Sequence, residues 1–211
     1  LVVSQSHTAV DNIIEGLVDI DEGKLDIIRI GRAENISPKV EETCTMNAIR
    51  KKMFTEIKEK SNTYIEQQNL LYANITEQKS LDRWERIKDI QADWINRCSN
   101  LETLDYQVIK SATIIAGTCV GFLSNDFVKE LDFDYVIIDE AAKATTPELL
   151  VSIIKSKKII LVGDQNQLPA YADQELSPII AKLTKEPKYR LFDLLFNVLP
   201  DTHKQILTVQ Y

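Results

Sequence analysis

The chain has 211 residues, 44% of them hydrophobic and 27% charged, with a net charge of −7. At roughly 100–200 residues per domain, that is one large domain or one domain carrying an insertion, with a core that needs no staples. The acidic balance argues against a basic nucleic-acid glove and leaves room only for a local basic groove. Cys44, Cys98 and Cys119 are too few and too far apart for a disulfide framework or a CxxC zinc site. Two histidines, His7 and His203, cannot build a His-rich metal centre. No apolar run approaches the roughly 18 residues of a membrane span, and no signal peptide opens the chain. A reduced, cytoplasmic setting with no membrane partner is therefore the default expectation. The sequence starts in one apolar run, Leu1-Val2-Val3, and stops in another, Ile206 to Tyr211, so it reads as a piece of a longer protein.

In chain order, short β-branched runs stand at Leu1–Ser4, Ile27–Ile30, Ala112–Ala116, Tyr135–Ile138, Ile159–Val162 and Ile206–Val209. Several are near-continuously apolar, the pattern of strands buried on both faces in a parallel sheet. Helical segments are expected between most of them, at Thr8–Val18, Asp126–Leu131, Pro147–Ile154, Leu176–Leu183 and Tyr189–Val198. Alternating strand and helix implies an α/β domain with a doubly wound parallel sheet.

One span breaks the alternation. Between Pro38 and Gly117 lie 78 residues with neither Gly nor Pro, which favours long helices. Leu81, Trp84, Ile87, Ile90, Trp94, Cys98 and Leu101 recur at spacings of three and four, on one helical face. Cys44, Ile49, Met53 and Ile57 do so at near-helical spacing. Charge from Lys39 to Asp105 is balanced, 11 basic against 12 acidic residues. The expected arrangement is a solvated helical hairpin over residues 38–105, inserted into an α/β domain formed by residues 1–37 and 106–211. Exposed tryptophans there would suggest a protein interface, and buried ones a hairpin core.

The chemistry concentrates at two strand ends. Tyr135-Val136-Ile137-Ile138 runs into Asp139-Glu140-Ala141-Ala142. In open parallel sheets, ligands bind beyond the carboxyl ends of the strands. Asp139 there suits a Mg²⁺–phosphate complex, since hard cations take oxygen ligands, and Glu140 can orient or deprotonate a water. An isolated acid pair also suits a plain strand end or helix cap. A second strand ends in Gly163-Asp164-Gln165-Asn166-Gln167-Leu168-Pro169. Gly163 permits close backbone approach, and Asp164 and Gln167 can hydrogen-bond a γ-phosphate or its water. Two such polar clusters at one sheet edge favour a nucleotide hydrolase.

These stretches, with three others in order, resemble the first RecA-like domain of a superfamily 1 helicase. The branch is that of the nonsense-mediated-decay and senataxin helicases and their bacterial relatives. Ser4 through Asn12 resembles motif Ia, and Gly117-Thr118-Cys119-Val120-Gly121 resembles motif Ic. Asp139-Glu140-Ala141-Ala142 resembles motif II, the Walker B element. Gly163 through Pro169 resembles motif III, and Val209-Gln210-Tyr211 the start of motif IV. The helical span falls where this branch carries its subdomain 1C.

The resemblance implies a RecA-like P-loop NTPase fold, ATP and Mg²⁺ as cofactors, and single-stranded DNA or RNA as partner. It implies that Asp139 coordinates Mg²⁺, that Glu140 activates the hydrolytic water and that Gln167 senses the γ-phosphate. Ser6, His7, Thr8 and Thr118 fall where the family contacts the strand backbone, although Thr8 also suits a helix N-cap. The chain departs from the family at Gln5, His7, Lys143 and Ala170, where Pro, Asn, Gln and Pro are common. It contains no GxxxxGK[ST] phosphate loop, and the second RecA-like domain with its arginine fingers is not recognisable in it. Two rivals stand beside the helicase reading: a non-catalytic binding module on a degenerate NTPase fold, and an NTPase with no nucleic-acid role.

Overall fold

The computed structural model describes residues 1–21, 24–32, 36–72, 77–98, 102–164 and 191–207. Five strands, β1 (Val2–Ser4), β2 (Ile27–Arg29), β3 (Ile114–Thr118), β4 (Phe133–Asp139) and β5 (Ser156–Leu161), form one sheet. Their order is β2-β3-β1-β4-β5 and every pairing is parallel. Parallel neighbours cannot be joined by tight turns, so helices cross over both faces. These are α1 (His7–Asp21), α2 (Pro38–Cys44), α5 (Glu102–Ser111), α6 (Asp126–Lys129), α7 (Thr146–Ile153) and α8 (Leu191–Val198).

The period of two along each strand divides the core between the faces. Val3, Ile28, Ile115, Val136 and Ile138 point into one cluster, closed by Val108 and Ile109 of α5, Phe122, Val128, Leu149 and Phe192. Val2, Ile27 and Ala116 point into the other, closed by Val10 and Ile14 of α1 and Val40 and Cys44 of α2. Covering on both faces explains why the central strands are apolar without a break. β5 differs. Lys157 through Ile160 are exposed, and among the described residues β5 is an edge strand.

Strand limits shift by a few residues from those the sequence suggests. The third strand starts two residues later, because α5 runs to Ser111 and Thr113 then donates to the Asp26 carbonyl. The fifth starts three residues earlier, where Phe133 N donates to Lys155 O and the polar Ser156-Lys157-Lys158 joins the ladder. The strand expected at Ile206–Val209 is not formed at Ile206 or Leu207, which are exposed and paired with nothing in the sheet; Thr208 and Val209 lie outside the described residues. The helix expected at Leu176–Leu183 lies outside them too.

Two long helices, α3 (Met46–Tyr72) and α4 (Gln78–Cys98), follow α2. At 1.5 Å per residue they span about 40 and about 32 Å. Asn69 accepts from Trp84 Nε1 at 3.0 Å, and Ser61 is bonded by Gln91 nearer the base, so the two run antiparallel. Arg50 donates twice to Asp105, tying the base of α3 to α5. Trp84 is buried between the arms and stacks on Tyr72 with ring centres 5.1 Å apart. Trp94 is half-exposed, beside a groove of about 350 Å³ lined by Ile57, Lys60, Tyr64, Ile87 and Gln91. The expected apolar stripe is thus only partly covered: Ile90 is 69% exposed, because the shallow seam of two helices cannot bury a face that wide.

Candidate active site

The carboxyl ends of the three central strands form one row. Ser4, the last residue of β1, is in register with Thr118 of β3 on one side and Asp139 of β4 on the other. Neighbouring strands lie about 4.8 Å apart, which separates Thr118 from Asp139 by about 10 Å across the sheet. Asp139 is half-buried at the end of β4.

Glu140 turns the chain out of the strand. Its φ of 53° and ψ of 34° are left-handed, the only positive φ at a non-glycine among the described residues. That conformation costs a side-chain-bearing residue roughly 1–2 kcal/mol. A 3-10 turn, Ala141–Lys143, follows, with Lys143 N donating to Glu140 O at 2.9 Å. The turn brings Lys143 Nζ to 3.0 Å from Glu140 Oε2. Lys143, noticed in the sequence only as a departure, therefore partners the carboxylate of Glu140.

Gly163 meets this turn from the neighbouring strand. Val162 N donates to Ile138 O and Val162 O accepts from Ala141 N, both at 2.8 Å. A Cβ on Gly163 would stand 3.0 Å from the Ala142 nitrogen, 3.3 Å from that of Ala141 and 3.3 Å from the Phe192 ring. Glycine is required here by close backbone approach. Asp164 follows and is exposed, and Gln167 lies outside the described residues.

On the other side of β1, Ser6 caps α1, its Oγ accepting from Ala9 N at 3.1 Å. The N-cap is thus Ser6 and not Thr8, which is exposed in the first turn. His7 opens the helix half-exposed, with Nδ1 3.1 Å from Arg29 Nη2. Burial and the Arg29 charge hold its pKa below the usual histidine value, against a smaller pull from Asp11. Thr118 Oγ1 accepts from Gly121 N at 3.1 Å, an internal turn contact that leaves its own proton to donate. The structure thus gathers Asp139, Glu140 and Gly163 at one end of the row, and Ser6, His7, Thr8 and Thr118 at the carboxyl ends of β1 and β3. Sequence reasoning missed Arg29 and Ser4. A charge in the apolar run Ile27-Ile28-Arg29-Ile30 was the signal for the first.

Carboxylate oxygens at Asp139, with a buried hydroxyl alongside at Ser4 that has no hydrogen-bond partner among the described residues, form a hard-donor set that suits Mg²⁺ held jointly with phosphates.

A family model described as "AAA domain" matches residues 1–174. The chain is 26% identical over its whole length to an uncharacterized ATP-dependent helicase, MJ0104, of Methanocaldococcus jannaschii, covering 35% of that protein. It is 28% identical to the Gallus gallus DNA replication ATP-dependent helicase/nuclease DNA2 over 80% of the chain and 12% of the relative. It is 30% identical to the Dictyostelium discoideum regulator of nonsense transcripts 1 over 51% of the chain and 8% of the relative. The chain belongs to this AAA domain family, as a RecA-like domain of a superfamily 1 helicase in the nonsense-decay and senataxin-like branch. It spans about a third of the length of the archaeal relative and about a tenth of the others. No described helix is long and apolar enough to cross a membrane.

Proposed function

We propose that the protein carrying this chain hydrolyses ATP to move along single-stranded DNA or RNA. The observation that supports this best is the row Thr118–Ser4–Asp139, three strand ends in register on one sheet edge with β1 in the middle. Asp139 would hold Mg²⁺, which supplies charge neutralisation to the phosphates when bound. Glu140 is the base that orients and deprotonates the attacking water, and its left-handed turn aims the carboxylate off the strand end. Lys143 holds that carboxylate in place through its 3.0 Å contact. Gly163 packs the end of β5 against the same turn, and Asp164 and Gln167 beyond it are read as the groups that sense the γ-phosphate.

Ser6, His7, Thr8 and Thr118 contact the strand backbone, positioning it without reading sequence. β1 leads into Ser6, His7 and Thr8 and pairs with the strand that ends in Asp139, so it is the element through which each set feels the other. Residues 38–105 are read as an inserted helical subdomain of the 1C type on a domain formed by 1–37 and 106–211. The 211 residues by themselves contain no phosphate loop, so the chain alone is proposed to be inactive, with the loop and a second RecA-like domain supplied by the full-length protein. ATP-dependent displacement of a labelled strand from a tailed duplex, by full-length protein on DNA and on RNA tails, tests this. Displacement that needs both ATP and a tail is the expected result.

A further inference from the structure

Arg29 is a full charge in the middle of a buried strand, and its side chain has no exposed surface. Its fork is divided three ways. Nε donates to Asp11 Oδ1 at 2.7 Å, Nη1 donates to the Ile30 carbonyl, and Nη2 lies 3.1 Å from Nδ1 of His7. The site is built around it. Asp11 Oδ2 accepts from Ser37 N at 2.7 Å, which ties the cluster to the cap of α2. At Gly31 a Cβ would come within 2.8 Å of Nη1.

A guanidinium carries donors only and keeps its proton throughout the working pH range. His7 Nδ1 must therefore be the acceptor of the 3.1 Å contact, and the ring's one proton sits on Nε2. Nε2 lies on the far side of the imidazole from Nδ1, so its N–H faces away from the buried arginine. His7 is half-exposed between Ser6 and Thr8, which are both exposed.

We propose that Arg29 is a positioning residue: it fixes His7 as a neutral Nε2–H donor for a phosphate oxygen of the bound strand. This rests on the strand-binding reading above and adds how one contact of it works. A protonated ring would set a second positive charge against the guanidinium. Among the described residues, the charged groups facing His7 are Arg29 from β2 and Asp11 from α1, and Asp11 is already engaged by Arg29 Nε and Ser37 N. The contact thus works through a directed hydrogen bond and holds its strength as the medium is acidified toward the ordinary histidine pKa of about 6.5. The same guanidinium connects the strand contact, through Asp11, to the start of the helical insertion.

The test uses full-length protein and a fluorescein-labelled oligothymidylate, read by anisotropy, with ¹⁵N spectra of the histidine rings assigned by comparison with His7→Gln. The wild type should show the proton on Nε2 and nearly constant affinity from about pH 8 to about pH 6.5. His7→Phe should weaken binding about tenfold or more, the loss of a hydrogen bond to a charged group. His7→Gln, which keeps an amide N–H at similar reach, should recover most of it. Arg29→Lys keeps the charge beside Asp11 but loses the fork, so the ring proton should then divide between Nδ1 and Nε2 and affinity should fall toward that of His7→Phe. A proton on Nδ1, or His7→Phe binding like the wild type, overturns the inference while the strand-binding reading stands. A wild type that binds no strand overturns that reading, and with it the phosphate role of His7.

Discussion

Ser4 lies directly beside Asp139 across the β1–β4 ladder, and its hydroxyl is fully buried with no hydrogen-bond partner among the described residues. A buried hydroxyl left unpaired costs roughly 1–3 kcal/mol. Such a cost at the centre of the row fits a site arranged for a bound phosphate complex rather than for maximum stability. Ser4→Ala should therefore fold at least as stably as the wild type, with a thermal midpoint equal or higher by about 2–4 °C. Differential scanning calorimetry checks this; a midpoint lowered by several degrees would mean the hydroxyl is satisfied after all.

Gly163 packs closely against the turn that carries Glu140. In Gly163→Ala the new methyl meets backbone nitrogens at 3.0 and 3.3 Å, which cannot rotate away. The expected cost is about 1–3 kcal/mol. The displaced atoms belong to the turn that carries Glu140, so ATP hydrolysis by the full-length variant should fall more than its folded fraction does. Denaturant titration beside a phosphate-release assay separates the two effects.

The two tryptophans of the helical pair should behave differently. Trp84 is buried, stacked on Tyr72 and bonded to Asn69. Trp84→Ala should cost about 3–5 kcal/mol locally and reduce helical circular dichroism. Trp94 is 49% exposed, and Trp94→Ala should change stability by no more than about 1 kcal/mol. Equal effects would contradict the packing of the arms.

Cys119 gives a pH signature. Burial first, and the charge of Glu148 second, push its thiol up to about 12. In the unfolded chain it titrates near the ordinary value of about 8.5. The folded state therefore binds the extra proton between these values, so this contribution is complete below about pH 8.5 and is lost as pH rises toward 12. Cys119 should resist alkylation at pH 8 in native protein and label on denaturation, which peptide mass spectrometry reads. Cys119→Ala should flatten the alkaline loss of stability.

The sheet was legible because strands covered on both faces cannot hide: Val2-Val3, Ile27-Ile28 and Val136-Ile137-Ile138 are apolar whichever way they point. The ends of strands were less so. Gly117 extends β3 although glycine is a poor strand former, because pairing with Val3 outweighs propensity. The edge strand β5 recruits Lys157 and Lys158 for the same reason. Asp139 and Glu140 stood out as two acids on an apolar run. What the sequence could not reveal was partnership. Lys143 beside Glu140, Ser6 rather than Thr8 as the cap, and Arg29 behind His7 all depend on contacts made by turns or by residues up to 22 apart in the chain.

The central claim, that the acid pair and the strand contacts belong to one machine, is tested most directly by steady-state ATP hydrolysis of full-length protein. Turnover is measured with and without an oligonucleotide, in wild type and in Glu140→Gln. The account predicts turnover stimulated by the single strand, and a loss of about 10²–10⁴-fold in the variant, as for removal of a general base. It also predicts no turnover above background by the 211 residues alone. Strand-independent turnover, or turnover that survives Glu140→Gln, would contradict it.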